Sequence, residues 1–236
     1  MANARSEFRC LLGPKTIHRS SFDVHQTLLD FIRLEARLTG TKEGCAEGDC
    51  GACSILLSPV NGGKLRPANS CLLKLGQVVG SSVYTVEGLG SKKLPSPIQK
   101  SLTKYGGSQC GFCTPGFVIA ITSLLNHKEK PTEMDIHDAL AGNLCRCTGY
   151  RPIVEAIKKI DGDIHLPECS KWSKCMNSKS ETASFFYPVS VEEAYELSYK
   201  NDNTFYLSGG TDLNLSEISP SIKPNYILLN RIPSLT

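Results

Sequence analysis

Cysteine is the residue type that most constrains this chain, because 11 of its 236 residues are cysteines and eight of them fall into two groups of four. Residues 1–7 contain no apolar stretch of the kind that directs secretion, so the sequence favours a cytoplasmic location with reduced thiols. An odd number of cysteines also excludes a complete set of internal disulfides. Metal or redox chemistry is therefore the expected role of the two groups. In chain order they are Cys45, Cys50, Cys53 and Cys71, then Cys110, Cys113, Cys145 and Cys147.

The first cysteine group has the spacing C-x4-C-x2-C followed by the distant Cys71, which is the plant-type pattern for a [2Fe–2S] cluster. Gly44, Gly48 and Gly51 lie beside these cysteines, where small residues let the chain wrap a compact cluster and turn its amides toward the sulfurs. Four thiolates also suit zinc, which stays open as the alternative. Zinc sites usually pair two closely spaced cysteine couples, so the solitary Cys71 favours iron–sulfur.

The second cysteine group combines a C-x2-C pair at 110–113 with a C-x-C pair at 145–147. A C-x-C pair brings two thiolates very close, which suits the two irons of a small cluster better than one tetrahedral zinc. Thr114-Pro115 opens one predicted helix and Arg151-Pro152 opens another, since proline is favoured at the first helical position. Both pairs are therefore expected at helix ends, where a helical bundle can clamp a second cluster between its loops.

The first part of the chain predicts a small sheet with one helix. A hairpin is expected over 7–19, further strands at 54–58 and 83–86, and a short helix over 28–34. Strands around one helix and a cysteine-bearing loop are typical of a β-grasp [2Fe–2S] ferredoxin-like domain. The sequence places this domain at residues 1–90.

The rest of the chain continues an α+β organisation. Residues 91–162 predict an all-α, four-helix [2Fe–2S]-binding domain. Residues 163–183 are polar and rich in Ser and Lys without a clear period, which indicates a linker. Residues 184–236 predict an α/β lobe with a capped helix at Ser190. The three remaining cysteines match no metal spacing and are Cys10, Cys169 and Cys175.

A glycine pair follows a predicted strand in the last part of the chain. The strand is Phe205-Tyr206-Leu207, and Gly209 and Gly210 come directly after Ser208. Such a pair exposes backbone N–H groups that can hold a pyrophosphate. An ordinary strand-to-loop turn is the alternative that these residues alone leave open.

Three motifs at 44–53, 109–116 and 143–150 together resemble the iron–sulfur part of the molybdenum hydroxylases, the enzymes of xanthine dehydrogenase and aldehyde oxidase type. The resemblance covers roughly residues 5–162. Residues 184–236 resemble the first lobe of the flavin domain of the same enzymes, of the PCMH type also found in vanillyl-alcohol oxidase relatives. The chain is expected to be incomplete as a flavoprotein, since the rest of that domain does not follow.

The resemblance implies that the eight grouped cysteines hold two [2Fe–2S] clusters. The second group would face a molybdenum–pterin on another domain or subunit, with Gln109 as its polar contact. The first group would face FAD. No general base, nucleophile or substrate pocket is implied for this chain, so no catalytic residue is predicted. The residues implied in FAD binding are Leu207, Ser208, Gly209, Gly210, Thr211 and Asp212.

The resulting prediction is an electron-transfer subunit or fragment of a xanthine dehydrogenase-like enzyme of purine catabolism, passing electrons from molybdenum–pterin through two clusters to FAD and NAD. Its expected partner is a molybdenum-cofactor subunit or domain, which makes a hetero-oligomer. The alternatives are a small subunit of aldehyde oxidase or carbon-monoxide dehydrogenase type, and a non-enzymatic two-cluster ferredoxin-like carrier.

Charge and hydropathy exclude two other classes of partner. The formal charge of +3 is too small to predict nucleic-acid binding. The longest apolar stretch, 117–121, is much shorter than the ~20 residues that a membrane span needs.

Overall fold

The computed structural model describes residues 8–12, 15–19, 23, 25–58, 64–164, 178–179, 184–215 and 222–235. The strands in these ranges are β1 (Phe8–Leu12), β2 (Lys15–Arg19), β3 (Ser54–Ser58), β4 (Arg66–Asn69), β5 (Ser82–Tyr84), β6 (Ser178–Lys179), β7 (Ser184–Phe186), β8 (Thr204–Leu207) and β9 (Asn225–Leu228). The α-helices are α1 (Leu28–Asp30), α2 (Pro97–Lys104), α3 (Thr114–His127), α4 (Glu133–Leu140), α5 (Arg151–Lys158) and α6 (Val191–Lys200). Shorter helical turns are Phe31–Glu35, Leu75–Val78, Val86–Leu89, Leu229–Arg231 and Pro233–Leu235.

The first five strands form one sheet in the order β2-β1-β5-β3-β4. The pair β1–β5 is parallel, whereas β1–β2, β3–β5 and β3–β4 are antiparallel. The sheet is therefore mixed, with its one parallel pair between β1 and β5. The predicted hairpin is confirmed by β1 and β2, and its Gly13-Pro14 turn lies outside the described residues.

Three local features of this sheet differ from the sequence prediction. The strand expected at 83–86 is shorter, because β5 ends at Tyr84 and a 3-10 turn follows at Val86–Leu89. The helix expected at 28–34 is one α-helical turn continued by a π-helical turn at Phe31–Glu35. Strand β4 was not predicted, since it contains Pro67, and proline is tolerated only at a sheet edge such as this one.

The sheet separates two apolar cores, because neighbouring residues of a strand point to opposite faces. Ile55 and Val83 belong to the core that includes Leu28 and Phe31. Leu56, the residue after Ile55, belongs instead to the core built by the later helices. The sheet is thus covered on both faces, whereas Cys53 and Cys71 of the first cysteine group belong to a separate small cluster with Leu29 and Leu72.

Helices α2 to α5 form the four-helix part predicted after residue 90, and their starts follow local signals. Ser96 and Thr132 cap α2 and α4 through side-chain oxygens that accept the N–H of the third helical residue. Pro115 and Pro152 occupy the first turns of α3 and α5. Helix α3 packs on β3 and is buried along most of its length, so it anchors the helices to the sheet.

The last part of the chain forms a four-stranded sheet in the order β6-β7-β9-β8, with parallel pairs β7–β9 and β8–β9. Helix α6 connects β7 to β8. Strand β6 lies within the segment predicted as a linker, most of which is outside the described residues. Among the residues that the structure describes, no helix has both the length and the apolar character needed to cross a bilayer.

This second sheet packs directly against the first part of the chain. Phe185 and Tyr226 belong to the same core as Val78. The Tyr187 hydroxyl donates to the carbonyl of Gly76 at 2.7 Å. Buried Arg231 lies over the Tyr187 ring at 4.0 Å and donates to the carbonyl of Val79. The last lobe is therefore held in a defined position relative to the first cysteine group.

Candidate metal centres

The first cysteine group begins in a loop whose amides turn toward its sulfurs. The Cys45 Sγ accepts the N–H groups of Glu47, Asp49 and Cys50 at N···S distances of 3.5, 3.3 and 3.4 Å. The Cys50 Sγ accepts the N–H of Cys45 at 3.4 Å. Ala46 has a φ of 62°, a left-handed conformation that reverses the chain and aims these amides inward. Amides arranged in this way stabilise thiolates and tune metal centres.

The other half of the first group is a buried thiol pair. Cys53 precedes β3 and Cys71 follows β4, and the pairing of these strands brings the two Sγ atoms to 3.3 Å. The hydrogen bond with Cys71 lowers the pKa of Cys53 to about 6, and the same contact, together with burial, raises the pKa of Cys71. Both sulfurs must be deprotonated when they bind a metal.

The loop has no room for larger side chains around these sulfurs. A Cβ on Gly44 would lie 2.7 Å from the Cys50 Sγ, and a Cβ on Gly48 would meet the Leu72 side chain. The small residues singled out in the sequence are therefore required by the packing of the cysteine loop.

The second cysteine group also meets as two thiol pairs. Cys110 lies near enough to Cys147 for their thiols to interact, and Cys113 lies similarly near Cys145. The first pair is exposed, whereas the second is half-buried beside the start of α3. Burial, and then contact with Cys145, raises the pKa of Cys113 to about 12. Burial also acts to raise the pKa of Cys145, but hydrogen bonds from the Thr148 hydroxyl and amide outweigh it, and that pKa is lowered.

The thiol pairs fit a two-iron cluster, in which each iron takes two cysteine sulfurs. Within the described ranges, no three or more His, Cys, Asp or Glu side chains converge on one metal-ion position. Each group has two thiol pairs, its metal donors are all thiolates, and backbone amides donate to its sulfurs. These features match the chemistry of [2Fe–2S] centres.

The two cysteine groups are joined by hydrogen bonds between their loops. The N–H of Leu144 donates to the carbonyl of Cys50 at 3.0 Å. The side-chain amide of buried Asn143 donates to the carbonyl of Gly51 at 3.1 Å. Because Leu144 directly precedes Cys145, the backbone and one hydrogen bond connect Cys50 of the first group to Cys145 of the second. The sequence carried no signal for this link, because its partners are more than 90 residues apart.

The glycine loop predicted to bind FAD follows β8 and lies beside the first cysteine group. The Gln77 side-chain amide donates to the carbonyl of Gly209 at 3.2 Å. The Asn214 side-chain amide lies 2.6 Å from both the Gln77 Oε1 and the carbonyl of Leu72, the residue after Cys71. Gln77 and Asn214, which sequence reasoning missed, thus hold this loop against the first group.

The residues of this loop differ in their exposure. Leu207 is buried at the end of β8, whereas Gly209 lies at the surface, where an added Cβ would lie 3.8 Å from the Thr211 side chain. Gly210 is half-buried, and its φ of 70° is a left-handed conformation that favours glycine. The remaining predicted residues are exposed and are Ser208, Thr211 and Asp212.

Gln109 lies beside the second cysteine group. It is exposed and directly precedes Cys110, the exposed member of the second group. Phe112 is also exposed nearby, at 47%. The structure therefore brings the predicted flavin loop to the first cysteine group and leaves Gln109 at the surface beside the second.

Comparison with known proteins finds an iron–sulfur family and larger oxidoreductases. Residues 85–158 match the family described as "[2Fe-2S] binding domain". Aldehyde oxidase 1 of Bos taurus is 45% identical over 158 residues, which are 65% of this chain and 12% of that protein. Xanthine dehydrogenase 1 of Arabidopsis thaliana is 50% identical over 140 residues, which are 57% of this chain and 10% of that protein. The chain thus spans about an eighth or less of the length of these relatives.

A solved structure extends the comparison to a shorter relative. One chain of quinoline 2-oxidoreductase from Pseudomonas putida 86 superimposes with a TM-score of 0.59 and is 35% identical. The match covers 65% of this chain and 90% of that one. Because this similarity spans nearly all of a relative at 35% identity, the chain belongs to the molybdenum hydroxylase family and contains its iron–sulfur electron-transfer region.

Proposed function

We propose that this chain carries electrons within a xanthine dehydrogenase-like enzyme, from a molybdenum–pterin centre through two [2Fe–2S] clusters to FAD and then NAD. The hydrogen bond between Leu144 and Cys50 supports this most directly. Clusters held by the two cysteine groups supply one-electron carriers. The peptide link keeps their ligands at a fixed separation, without any side chain that must move.

The direction of the route rests on the exposure of the two ends. The Cys110–Cys147 pair is open to the surface, with Gln109 beside it, and we assign this face to the molybdenum–pterin partner. The Cys53–Cys71 pair is buried beneath the loop that carries Gly209, and we assign that side to FAD. A partner that brings the molybdenum–pterin makes the complete enzyme a hetero-oligomer or a larger chain, which we place in the cytoplasm.

The three-part organisation belongs to the same proposal. We assign residues 1–90 to a β-grasp cluster domain, 91–162 to a four-helix cluster domain, and 184–236 to the first lobe of a PCMH-type flavin domain, with a linker at 163–183. An enzyme of aldehyde oxidase type is the second candidate, because a relative of that name has similar identity to this chain. Its electron route through this chain would be the same.

FAD titration tests the flavin end of the route. We expect the 236-residue chain alone to bind FAD weakly or not at all, because the glycine loop offers one surface, whereas a cofactor site encloses most of its ligand. Supplying the downstream flavin segment of a relative is expected to produce stoichiometric binding, measured by quenching of flavin fluorescence.

Gly209→Leu provides the sharper variant in that reconstituted complex. A side chain at Gly209 meets nothing closer than 3.8 Å, so the change leaves the loop intact but blocks the approach of a phosphate to its backbone. We expect FAD affinity to fall at least tenfold, about 1.4 kcal/mol. Tyr199→Leu on the exposed face of α6 is the matched control and is expected to bind normally. Unchanged affinity in Gly209→Leu would remove this loop from the flavin site.

A further inference from the structure

One side-chain hydroxyl lies directly against a cysteine sulfur of the second group. The Oγ1 of Thr148 is 3.0 Å from the Sγ of Cys145, and the N–H of Thr148 points to the same sulfur at 3.4 Å. Cys145 follows Leu144 in the chain and is the ligand nearest the peptide link to Cys50. A hydrogen-bond donor at this sulfur therefore acts on the ligand through which, in the proposed route, electrons leave the second cluster.

The neighbouring hydrogen bonds determine where the hydroxyl proton points. The Thr148 Oγ1 accepts the N–H of Tyr150 at 3.2 Å. That bond uses the oxygen as an acceptor and leaves its single proton free to donate. A metal-bound Cys145 thiolate has no proton of its own and can only accept. In the metal-bound protein the hydroxyl is therefore the donor and the sulfur the acceptor.

The orientation of Thr148 is held by the residues around it. The Tyr150 hydroxyl accepts the N–H of Cys145 at 2.9 Å, which closes the loop on itself. The Tyr150 ring packs edge-on against Phe117 of α3, with a centroid distance of 6.2 Å. Tyr150 also has a φ of 66°, a strained conformation for a large residue that the surrounding contacts maintain. The hydroxyl is thus positioned before any metal binds.

We propose that Thr148 raises the reduction potential of the second cluster by donating a hydrogen bond to the Cys145 thiolate. This inference rests on the proposed function, since it assumes a [2Fe–2S] cluster on the second group. Reduction adds one electron and makes the cluster sulfurs more negative, so a donor stabilises the reduced state more than the oxidised one. Thr148 acts through Cys145 and is a positioning residue, because it binds no iron itself.

Thr148→Val tests the proposal, because valine has the shape of threonine without the hydroxyl. The holoprotein is titrated with dithionite under EPR, which supplies one electron to each cluster and reports each midpoint separately. We expect the equilibrium constant for reduction of the second cluster to fall about tenfold, which corresponds to a potential lower by about 59 mV. The first cluster, measured in the same sample, is expected to stay unchanged.

Two controls accompany this variant. Thr148→Ser keeps the hydroxyl and is expected to retain the wild-type potential. Ser108→Ala removes a nearby hydroxyl that bonds to the Thr114 Oγ1 at 2.8 Å and to no sulfur, so it is expected to leave both potentials unchanged. A similar shift of the reduction potential in Ser108→Ala would contradict the proposal. It would show that the potential responds to any loss of a polar group near the helix end.

The other results of these titrations distinguish the tuning role of Thr148 from the proposed function. If Thr148→Val holds two clusters and both reduction potentials are unchanged, the tuning role is wrong and the proposed function stands. Wild-type protein without two clusters would instead overturn the proposed function. Thr148→Ala provides a second hydroxyl-free variant. If neither it nor Thr148→Val assembles the second cluster while Thr148→Ser does, the hydroxyl is needed for assembly and the tuning proposal is wrong.

Discussion

Cys147→Ser is expected to abolish the EPR signal of one reduced cluster while the other keeps its full intensity, and Cys50→Ser is expected to do the reverse. Each change removes one thiolate from a single group, and the thiol contacts in the structure stay within groups: Cys147 meets Cys110, and Cys45 meets Cys50. Serine is a poor substitute for a thiolate on iron. Spin quantification of the dithionite-reduced proteins measures the loss, which should be about one spin per chain.

Cys175→Ser is the matched control, because it makes the same substitution outside both cysteine groups. It is expected to retain both signals. Loss of both signals in Cys147→Ser and also in Cys50→Ser would mean that the two groups do not form independent centres. Far-UV circular dichroism separates that result from unfolding, since a folded protein without clusters and an unfolded one have different spectra.

Gly116→Leu is expected to destabilise the contact between the two cluster loops. A Cβ at Gly116 would overlap the carbonyl oxygen of Gly51 and lie 2.8 Å from the Asn143 side chain. These atoms belong to the hydrogen-bonded link between the groups, so neither side can move without breaking it. Overpacking of this kind costs up to about 3 kcal/mol. The temperature at which cluster absorbance is lost should fall by about 10 °C.

Gly142→Leu is the matched control for that variant. Gly142 lies in the same region, but an added Cβ there meets no atom within 4 Å. In the control, the temperature at which cluster absorbance is lost is expected to lie within about 2 °C of the wild-type value, because surface substitutions change stability little. Equal destabilisation by the two changes would show that the close approach of Gly116 to Gly51 does not hold the loops together.

Features of the fold that depend on local sequence could be predicted. The hairpin of β1 and β2 follows from its short apolar strands, and the starts of α3 and α5 follow from Pro115 and Pro152. The cysteine spacing is also local, since three of the four ligands of the first group lie within nine residues. In contrast, the edge strand β4 could not be predicted, because Pro67 argues against a strand unless its position in the sheet is known.

The connections between the parts of the site could not be predicted, because they depend on residues distant in sequence. Gln77 meets the carbonyl of Gly209 across 132 positions, and Asn214 meets the carbonyl of Leu72 across 142. Glutamine and asparagine have no pattern that marks a partner so far away. The glycine pair suggested a phosphate loop, but only the folded chain brings that loop beside the first cysteine group.

The iron and acid-labile sulfide content of the purified chain shows whether both cysteine groups hold clusters. We predict two clusters, and therefore about four irons and about four sulfides per chain in anaerobically prepared protein. This expectation is based on the paired cysteine thiols of both groups and on the backbone amides that donate hydrogen bonds to their sulfurs. Stoichiometric zinc without inorganic sulfide would contradict it, since the cysteine groups would then be structural sites unable to carry electrons.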